Sequence, residues 1–87
     1  MTAHRFEVLV SLKPGLLDPQ GKAIEGSLPA LGWINVRDVR VGKHIELTVD
    51  VDDAGSAREQ VERMAEGLLS NPVIENFRIL SADEAPA

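Results

Sequence analysis

Apolar and polar residues alternate near the start of the chain. Between Arg5 and Lys13, one set of alternate positions is entirely apolar: Phe6, Val8, Val10 and Leu12. A period of two with β-branched residues is typical of a half-buried strand. Pro14 predicts the end of this strand, because proline has no N–H for a sheet ladder and keeps the residue before it extended.

The next pattern has helical spacing. Asp18-Pro19 is a typical helix start, because the aspartate side chain accepts a backbone N–H and proline suits the first helical position. Apolar residues then recur three or four positions apart, at Ile24, Leu28 and Leu31. Gly32 is the predicted C-cap. Pro29 removes one hydrogen bond and clashes with the carbonyl group of Glu25, so we expect a kink or a looser last turn there.

Two strands are predicted in the middle of the chain, at Ile34–Val41 and Ile45–Val51, around the connection Gly42-Lys43-His44. Facing residues of an antiparallel pair lie on the same side of a sheet. A two-residue turn would place Asp38 and Arg40 on the apolar face, where unpaired charges cost several kcal/mol. We therefore predict a hairpin with a three-residue connection.

The second half of the chain predicts another helix and a last strand. Ser56 and Glu59 have the spacing of a capping box, with serine as the N-cap. The helix that follows has one apolar stripe, made of Val61, Met64, Ala65, Leu68 and Leu69. Asn71-Pro72 predicts the end of that helix. The last strand is predicted from Val73 to Leu80.

The predicted element order is β-α-β-β-α-β. This order indicates an α+β, ferredoxin-like fold, with a four-stranded antiparallel sheet and two helices on one face. We expect residues 1–80 to form a single domain and residues 81–87 to form a flexible tail. The other face of the sheet is predicted to be half-apolar and uncovered, with Leu9, Thr48, Ile74 and Leu80 on it. Such a face suits association with another chain.

Composition narrows the function classes. The chain has 87 residues, a net charge of −5, no cysteine and two histidines. A negative chain is a poor match for nucleic acid, and the absence of cysteine excludes disulfides and thiolate zinc sites. His4 and His44 are too few to predict a metal cluster. No apolar run approaches a membrane span and the N-terminus lacks a signal-peptide pattern, so we expect a cytoplasmic protein.

A core this small supplies only about 3–5 kcal/mol of net stability, which favours reinforcement by oligomerisation or a partner.

The loop before the first helix has glycines and a lysine, but its spacing differs from a phosphate-binding loop. The acids from Asp50 to Asp53 depart from a calcium-loop pattern. No serine lies in a nucleophile-elbow context. We predict no catalytic residue, no bound cofactor and no metal.

Positive charge concentrates in one segment of this acidic chain, at Arg37, Arg40, Lys43 and His44. Charged residues on an edge strand prevent unwanted strand pairing, which is one interpretation. The other interpretation is a docking patch that steers an acidic partner surface. The residues alone favour neither, and together with the fold they favour a binding or structural role over independent catalysis.

Three segments of the chain resemble a known family. They are VLVSLKPGLLDPQGKAI, VRDVRVGKHIEL and LLSNPVIENFRI. In this order and spacing they resemble the PurS family, the small subunits of phosphoribosylformylglycinamidine synthase. The resemblance runs from Phe6 to Leu80, and LDPQG is its most typical part.

The resemblance implies a role in de novo purine synthesis. The complete enzyme converts formylglycinamide ribonucleotide (FGAR), glutamine and ATP to formylglycinamidine ribonucleotide (FGAM), glutamate, ADP and phosphate. In the family, the large PurL subunit uses ATP and Mg²⁺, and PurQ releases ammonia from glutamine with a cysteine nucleophile. PurS chains form dimers or higher oligomers, have no established catalytic residues, and bring PurQ and PurL together so that ammonia passes between them.

As a hypothesis, the partner interface of this chain includes Asp18, Gln20, Gly21, Arg40, Lys43 and His44. Two other classes of function stay open at this point. A free-standing ferredoxin-like domain that senses a small molecule is the main alternative. A stand-alone enzyme is weaker, because no nucleophile–base set is found.

Overall fold

The computed structural model describes residues 2–81. It contains an antiparallel sheet of three strands, two α-helices, a 3-10 turn and a π-helical segment. In chain order these are β1 (Thr2–Leu12), α1 (Pro19–Ser27), the 3-10 turn (Pro29–Leu31), β2 (Gly42–Val51), α2 (Ala54–Met64), the π segment (Ala65–Leu69) and β3 (Glu75–Ser81). None of the described helices has the length and apolar character needed to span a bilayer.

The sheet has the order β2-β1-β3, so β1 is the central strand. Val8 lies opposite Ile45 of β2 and opposite Ile79 of β3. The alternation predicted for β1 is confirmed, since Phe6, Val8 and Val10 are buried. They form the core with Val49, with Ile79, with Ala57 and Val61 of α2, and with Ala65, the first residue of the π segment.

The N-cap of α2 is Asp53, so the predicted capping box at Ser56 is wrong. The Asp53 side chain accepts the Ser56 N–H at 2.9 Å, and the Asp53 carbonyl group accepts the Ala57 N–H. The helix therefore begins two residues before the serine. A carboxylate competes well for this place, because it also has a favourable interaction with the positive end of the helix dipole.

The end of α2 widens into the π segment, which the apolar pattern did not predict. Ser70 donates its backbone N–H and its hydroxyl to the carbonyl group of Ala65, five residues earlier. The wider turn changes the phase of the helix. Ala65 stays in the core and Leu69 packs against it, but Leu68 is 83% exposed. The predicted five-residue stripe is therefore interrupted.

The predicted strand at 34–41 is wrong. In the structure, these residues run beside α1 without joining the sheet. Carboxylates take their N–H groups, since Val39 donates to Glu25 Oε1 at 3.1 Å and Val41 donates to Asp18 Oδ2 at 2.7 Å. Asp38 has a φ of 59°, in the left-handed region that strands avoid.

The predicted hairpin connection is also wrong. Gly42, Lys43 and His44 belong to β2 and pair with Ser11, Val10 and Leu9 of β1. A Cβ at Gly42 would lie 2.4 Å from the carbonyl oxygen of Val10. Glycine is therefore required here by the close approach of two backbones, and no turn forms at this position.

The prediction of two helices on one face of the sheet is correct only for α2. Among the described helices, α2 alone has extensive contacts with the strands. We call residues 14–41 the α1 arm and the three strands with α2 the sheet–α2 unit. The radius of gyration is 16.4 Å, against about 12 Å for a compact chain of this length.

Pro29 is accommodated within the arm by ending α1 at Ser27 and beginning the 3-10 turn, without a kink at Glu25.

The sheet face opposite α2 is largely polar. The register places Glu7, Leu9, Thr48 and Leu80 on it, as predicted for the last three. Leu80 is nevertheless buried, and Ile74 lies outside β3. Of the predicted tail, Ser81 ends β3, and residues 82–87 lie outside the described part of the chain.

Candidate partner interface

Asp18 is a buried carboxylate that joins two parts of the α1 arm. Only 4% of the residue is exposed. Its Oδ1 accepts the Gly21 N–H at 2.9 Å, which caps α1, and its Oδ2 accepts the Val41 N–H at 2.7 Å. The two backbone hydrogen bonds from Gly21 and Val41 lower the pKa of Asp18, and the Arg40 guanidinium adds to this effect.

Gly21 is the second member of this junction. A Cβ at this position would lie 2.2 Å from the carbonyl oxygen of Val39, so any side chain would push α1 and the 34–41 segment apart. Asp18 and Gly21 thus act within the arm, and of the predicted interface residues in this loop, Gln20 is the exposed one. The LDPQG sequence therefore has two structural roles. It caps α1, and it holds the segment 34–41, which is distant in sequence.

Arg40 closes the same loop from its other side. Its guanidinium donates to the carbonyl oxygens of Leu16 at 2.9 Å and Lys13 at 3.3 Å, and its Nε lies 4.0 Å from Asp18 Oδ2. The side chain stays 41% exposed. Arg40 therefore fixes the loop and also presents charge at the surface.

Lys43 and His44 are neighbours in β2 and so point to opposite faces of the sheet. Lys43 Nζ donates to the carbonyl oxygen of Leu69 at 3.4 Å, whereas His44 Nε2 lies 2.6 Å from Glu7 Oε1. Arg37 lies in the arm beside Asp38. The four positive residues therefore do not form one patch, and their role in partner contact stays a prediction.

The larger surface feature is apolar. In the arm, Leu31, Trp33, Ile34 and Val36 are exposed within six residues of sequence, and Leu17 and Ile24 of the arm are also exposed. The sequence LGWINV contained this signal, but the predictions assigned Leu31 to a helix and Ile34 and Val36 to a strand, and did not identify an exposed apolar group. Several large apolar residues exposed in one short segment favour a protein–protein interface.

Comparison with known proteins identifies the family. Residues 5–83 match the family model described as PurS: Phosphoribosylformylglycinamidine (FGAM) synthase. The match covers both the sheet–α2 unit and the α1 arm. The chain belongs to the PurS family.

Similar PurS proteins come from distant organisms. A Mycobacterium leprae PurS subunit is 46% identical over 77 residues, covering 86% of this chain and 91% of that protein. Methanocaldococcus jannaschii PurS, described as a subunit of formylglycinamide ribonucleotide amidotransferase in the purine biosynthetic pathway, has a TM-score of 0.79. It is 35% identical, with coverage of 90% and 94%.

A third similarity is to a complex. A chain in the structure of PurLQS from Thermotoga maritima superposes with a TM-score of 0.86 and 32% identity, covering 93% of this chain and 99% of that one. Because the PurS matches extend over the arm as well as the sheet, the arm is part of the family fold.

Proposed function

We propose that this chain is the small, non-catalytic subunit of FGAM synthase and works in the cytoplasm. It assembles the PurQ glutaminase with the PurL synthetase, and the large subunit supplies the ATP and Mg²⁺ chemistry. The observation that best supports this proposal is the similarity to a chain of the PurLQS structure over nearly the whole of both chains.

The chemistry of the chain fits an assembling role. The sequence has no cysteine and therefore no nucleophile for a cysteine-dependent glutaminase. Ammonia that escapes to water is largely protonated at neutral pH and is no longer a nucleophile. Holding the two active sites in a fixed relation would keep the ammonia out of water, which is a gain from positioning and water exclusion.

A second copy of the chain is the proposed occupant of the apolar arm surface. On the helix side of β2, Ile45, Leu47 and Val51 are only partly buried, because α1 does not cover them. The α1 arm of a second copy has an apolar surface to place there. Each chain would then receive the missing helix of a ferredoxin-like unit, and residues 34–41 of the second copy would lie near the free edge of β2.

Gln20, Arg40, Lys43 and His44 remain the proposed contacts with the larger subunits. Replacing Arg40 and Lys43 together by glutamate is expected to weaken co-purification with PurL and PurQ. Because Arg40 also holds the loop, the double variant could change the loop as well as docking. Lys43→Glu alone tests docking with the Arg40 contacts intact. Arg63→Glu, on the exposed side of α2, is the matched control. Co-purification of the double variant at the wild-type level would contradict this assignment.

Reconstitution tests the function itself. PurL and PurQ are mixed with and without this chain, and glutamine-dependent conversion of FGAR to FGAM is measured beside the ammonia-dependent reaction. We expect the glutamine-dependent rate to require the chain and the ammonia-dependent rate not to require it. Equal glutamine-dependent rates would refute the proposal. A sensing domain would instead be stabilised on its own by an amino acid or nucleotide in a thermal-shift screen.

A further inference from the structure

We propose that Glu7, His44 and Glu46 form a binding site for a divalent transition-metal ion of the Zn²⁺ type on the sheet face opposite α2. Glu7 Oε1, His44 Nε2 and Glu46 Oε1 all lie within 4.8 Å of one another. The site is distinct from the proposed arm interface and shares only His44 with the predicted docking residues. It departs from the prediction of no metal made from the sequence.

The strand register brings the three side chains together. Glu7 of β1 lies directly opposite Glu46 of β2. His44 is two residues before Glu46 on the same face, and its own partner is Leu9, which places it diagonal to Glu7. Ligands on paired strands are held more firmly than ligands on loops. Each ligand therefore comes from regular, hydrogen-bonded backbone.

The electrostatics of this arrangement favour a cation. Two carboxylates directly opposite each other on neighbouring strands repel each other. A cation between Glu7 and Glu46 would replace that repulsion with two favourable interactions. The nearest positive residues that the register places on this face are Arg5, opposite Thr48, and Arg78, opposite Leu9. In the described part of the chain, the ion pairs of Glu7 and Glu46 are those with His44.

One donor distance is shorter and the other longer than the spacing around a small tetrahedral ion. His44 Nε2 lies 2.6 Å from Glu7 Oε1 and 3.9 Å from Glu46 Oε1. Zinc bonds of about 2.0–2.2 Å to nitrogen and oxygen put tetrahedral donors about 3.3–3.5 Å apart, between these two values. Binding of an ion would therefore have to open the contact of His44 with Glu7 and shorten the distance from His44 to Glu46. One imidazole and two carboxylates favour Zn²⁺ or Mn²⁺ over Ca²⁺, and a fourth position remains for water.

The surroundings give the site one dry side. Glu7 pairs across β1–β3 with Leu80, which is buried, and Leu9 lies beside the site on β1. The Glu7 side chain is only 22% exposed, whereas Glu46 is 61% exposed. A metal would therefore enter from the Glu46 side, and its expected effect is to tie β2, an edge strand, to the central strand.

Metal titration of the tag-free full chain tests the proposal. After treatment with a chelator, ZnCl₂ and MgCl₂ are titrated by calorimetry, and the Co²⁺ form is examined by absorption spectroscopy. We expect one Zn²⁺ per chain, weaker Mg²⁺ binding, a Co²⁺ spectrum typical of tetrahedral coordination, and a higher melting temperature with Zn²⁺. No saturable Zn²⁺ binding at micromolar concentrations would overturn the proposal.

Matched variants locate the ion. His44→Gln and Glu46→Gln should each weaken Zn²⁺ binding by about tenfold or more and should leave the circular dichroism spectrum unchanged, because both side chains are on the surface. His4→Gln and Glu59→Gln make the same chemical changes elsewhere and should bind like the wild type. Equal Zn²⁺ affinity in His44→Gln and His4→Gln would refute the site and leave His44 as the partner of an ordinary ion pair.

Discussion

The sheet–α2 unit and the α1 arm differ in how they are held together. In the sheet–α2 unit, Val8 and Val61 have no exposed surface and the core spans all three strands. In the arm, the main long-range ties are polar, from Asp18, Glu25 and Arg40, and the apolar side chains face outward.

This difference indicates that one region of the chain provides stability and the other provides a surface for assembly. Burial of apolar surface stabilises the sheet–α2 unit by itself. The arm has a defined backbone path, fixed by hydrogen bonds, but its apolar surface is exposed, and we propose that a second copy covers it. Exposed apolar surface that would be a liability in a monomer is then the basis of assembly.

The largest expected effect is the difference in stability between a substitution at a buried position and one at an exposed position of the same helical stretch. Val61→Asp places an unpaired carboxylate in the core and should cost several kcal/mol, enough to unfold the chain. Leu68→Asp makes a comparable change at a residue that is 83% exposed and should change stability by less than about 0.5 kcal/mol. Urea unfolding measures both. A stable Val61→Asp variant would contradict the role of Val61 as a core residue.

A smaller effect is expected within the arm. Gly21→Ala should cost about 1–3 kcal/mol, because the new Cβ meets the carbonyl oxygen of Val39 at 2.2 Å. Gly26→Ala has open space and should stabilise α1 by up to about 1 kcal/mol. Hydrogen exchange at the Val39 and Val41 amides provides the local readout. Similar protection in both variants would mean that the close contact does not hold the arm.

Acid should weaken the hold of Asp18 on the arm. The pKa of Asp18 is lower in the folded chain than in the unfolded chain, because the Gly21 and Val41 N–H groups favour the carboxylate. Its stabilisation is therefore complete above the ordinary value of 3.8 and is lost as pH falls through the lowered pKa.

The amide shift of Val41, followed by NMR from neutral pH to well below 3.8, reports this loss. Asp18→Asn should remove the transition, and Asp53→Asn, which changes the other N-cap, should preserve it. A Val41 transition that persists in Asp18→Asn would assign the effect to another acid.

The smallest effect is expected at a surface ion pair. Arg63 Nη2 lies 2.8 Å from Glu59 Oε1 on the exposed side of α2. Arg63→Ala should lower the free energy of unfolding by no more than about 0.5 kcal/mol, and salt should reduce the difference further. A loss above 1 kcal/mol in urea unfolding would show that the surface of α2 is more tightly coupled to the core than the structure implies.

Patterns that depend on neighbours in sequence were predictable. The alternation from Phe6 to Leu12 predicted β1, and Asp18-Pro19 predicted the start of α1. Local spacing fixes these features, because strand periodicity and helix capping act within a few residues. The three sequence segments also predicted the PurS family correctly.

Features that depend on distant partners were not predictable from the same patterns. Val39 and Val41 looked like strand residues, but their N–H groups bind carboxylates far away in sequence. Gly42 looked like a turn residue, but a neighbouring backbone requires the glycine. The hairpin prediction also placed His44 in a turn, so its contact with Glu7 was not predicted.

The mass of the chain in solution tests most directly whether the arm is the surface of self-association. Sedimentation equilibrium is measured over a range of concentrations for the wild type and for Ile34→Asp, which changes a residue that is 85% exposed in the arm. We expect the wild type to have at least twice the monomer mass of 9.4 kDa and the variant to return to 9.4 kDa with its fold intact. A wild type that stays at 9.4 kDa, or a variant that associates equally well, would contradict the account.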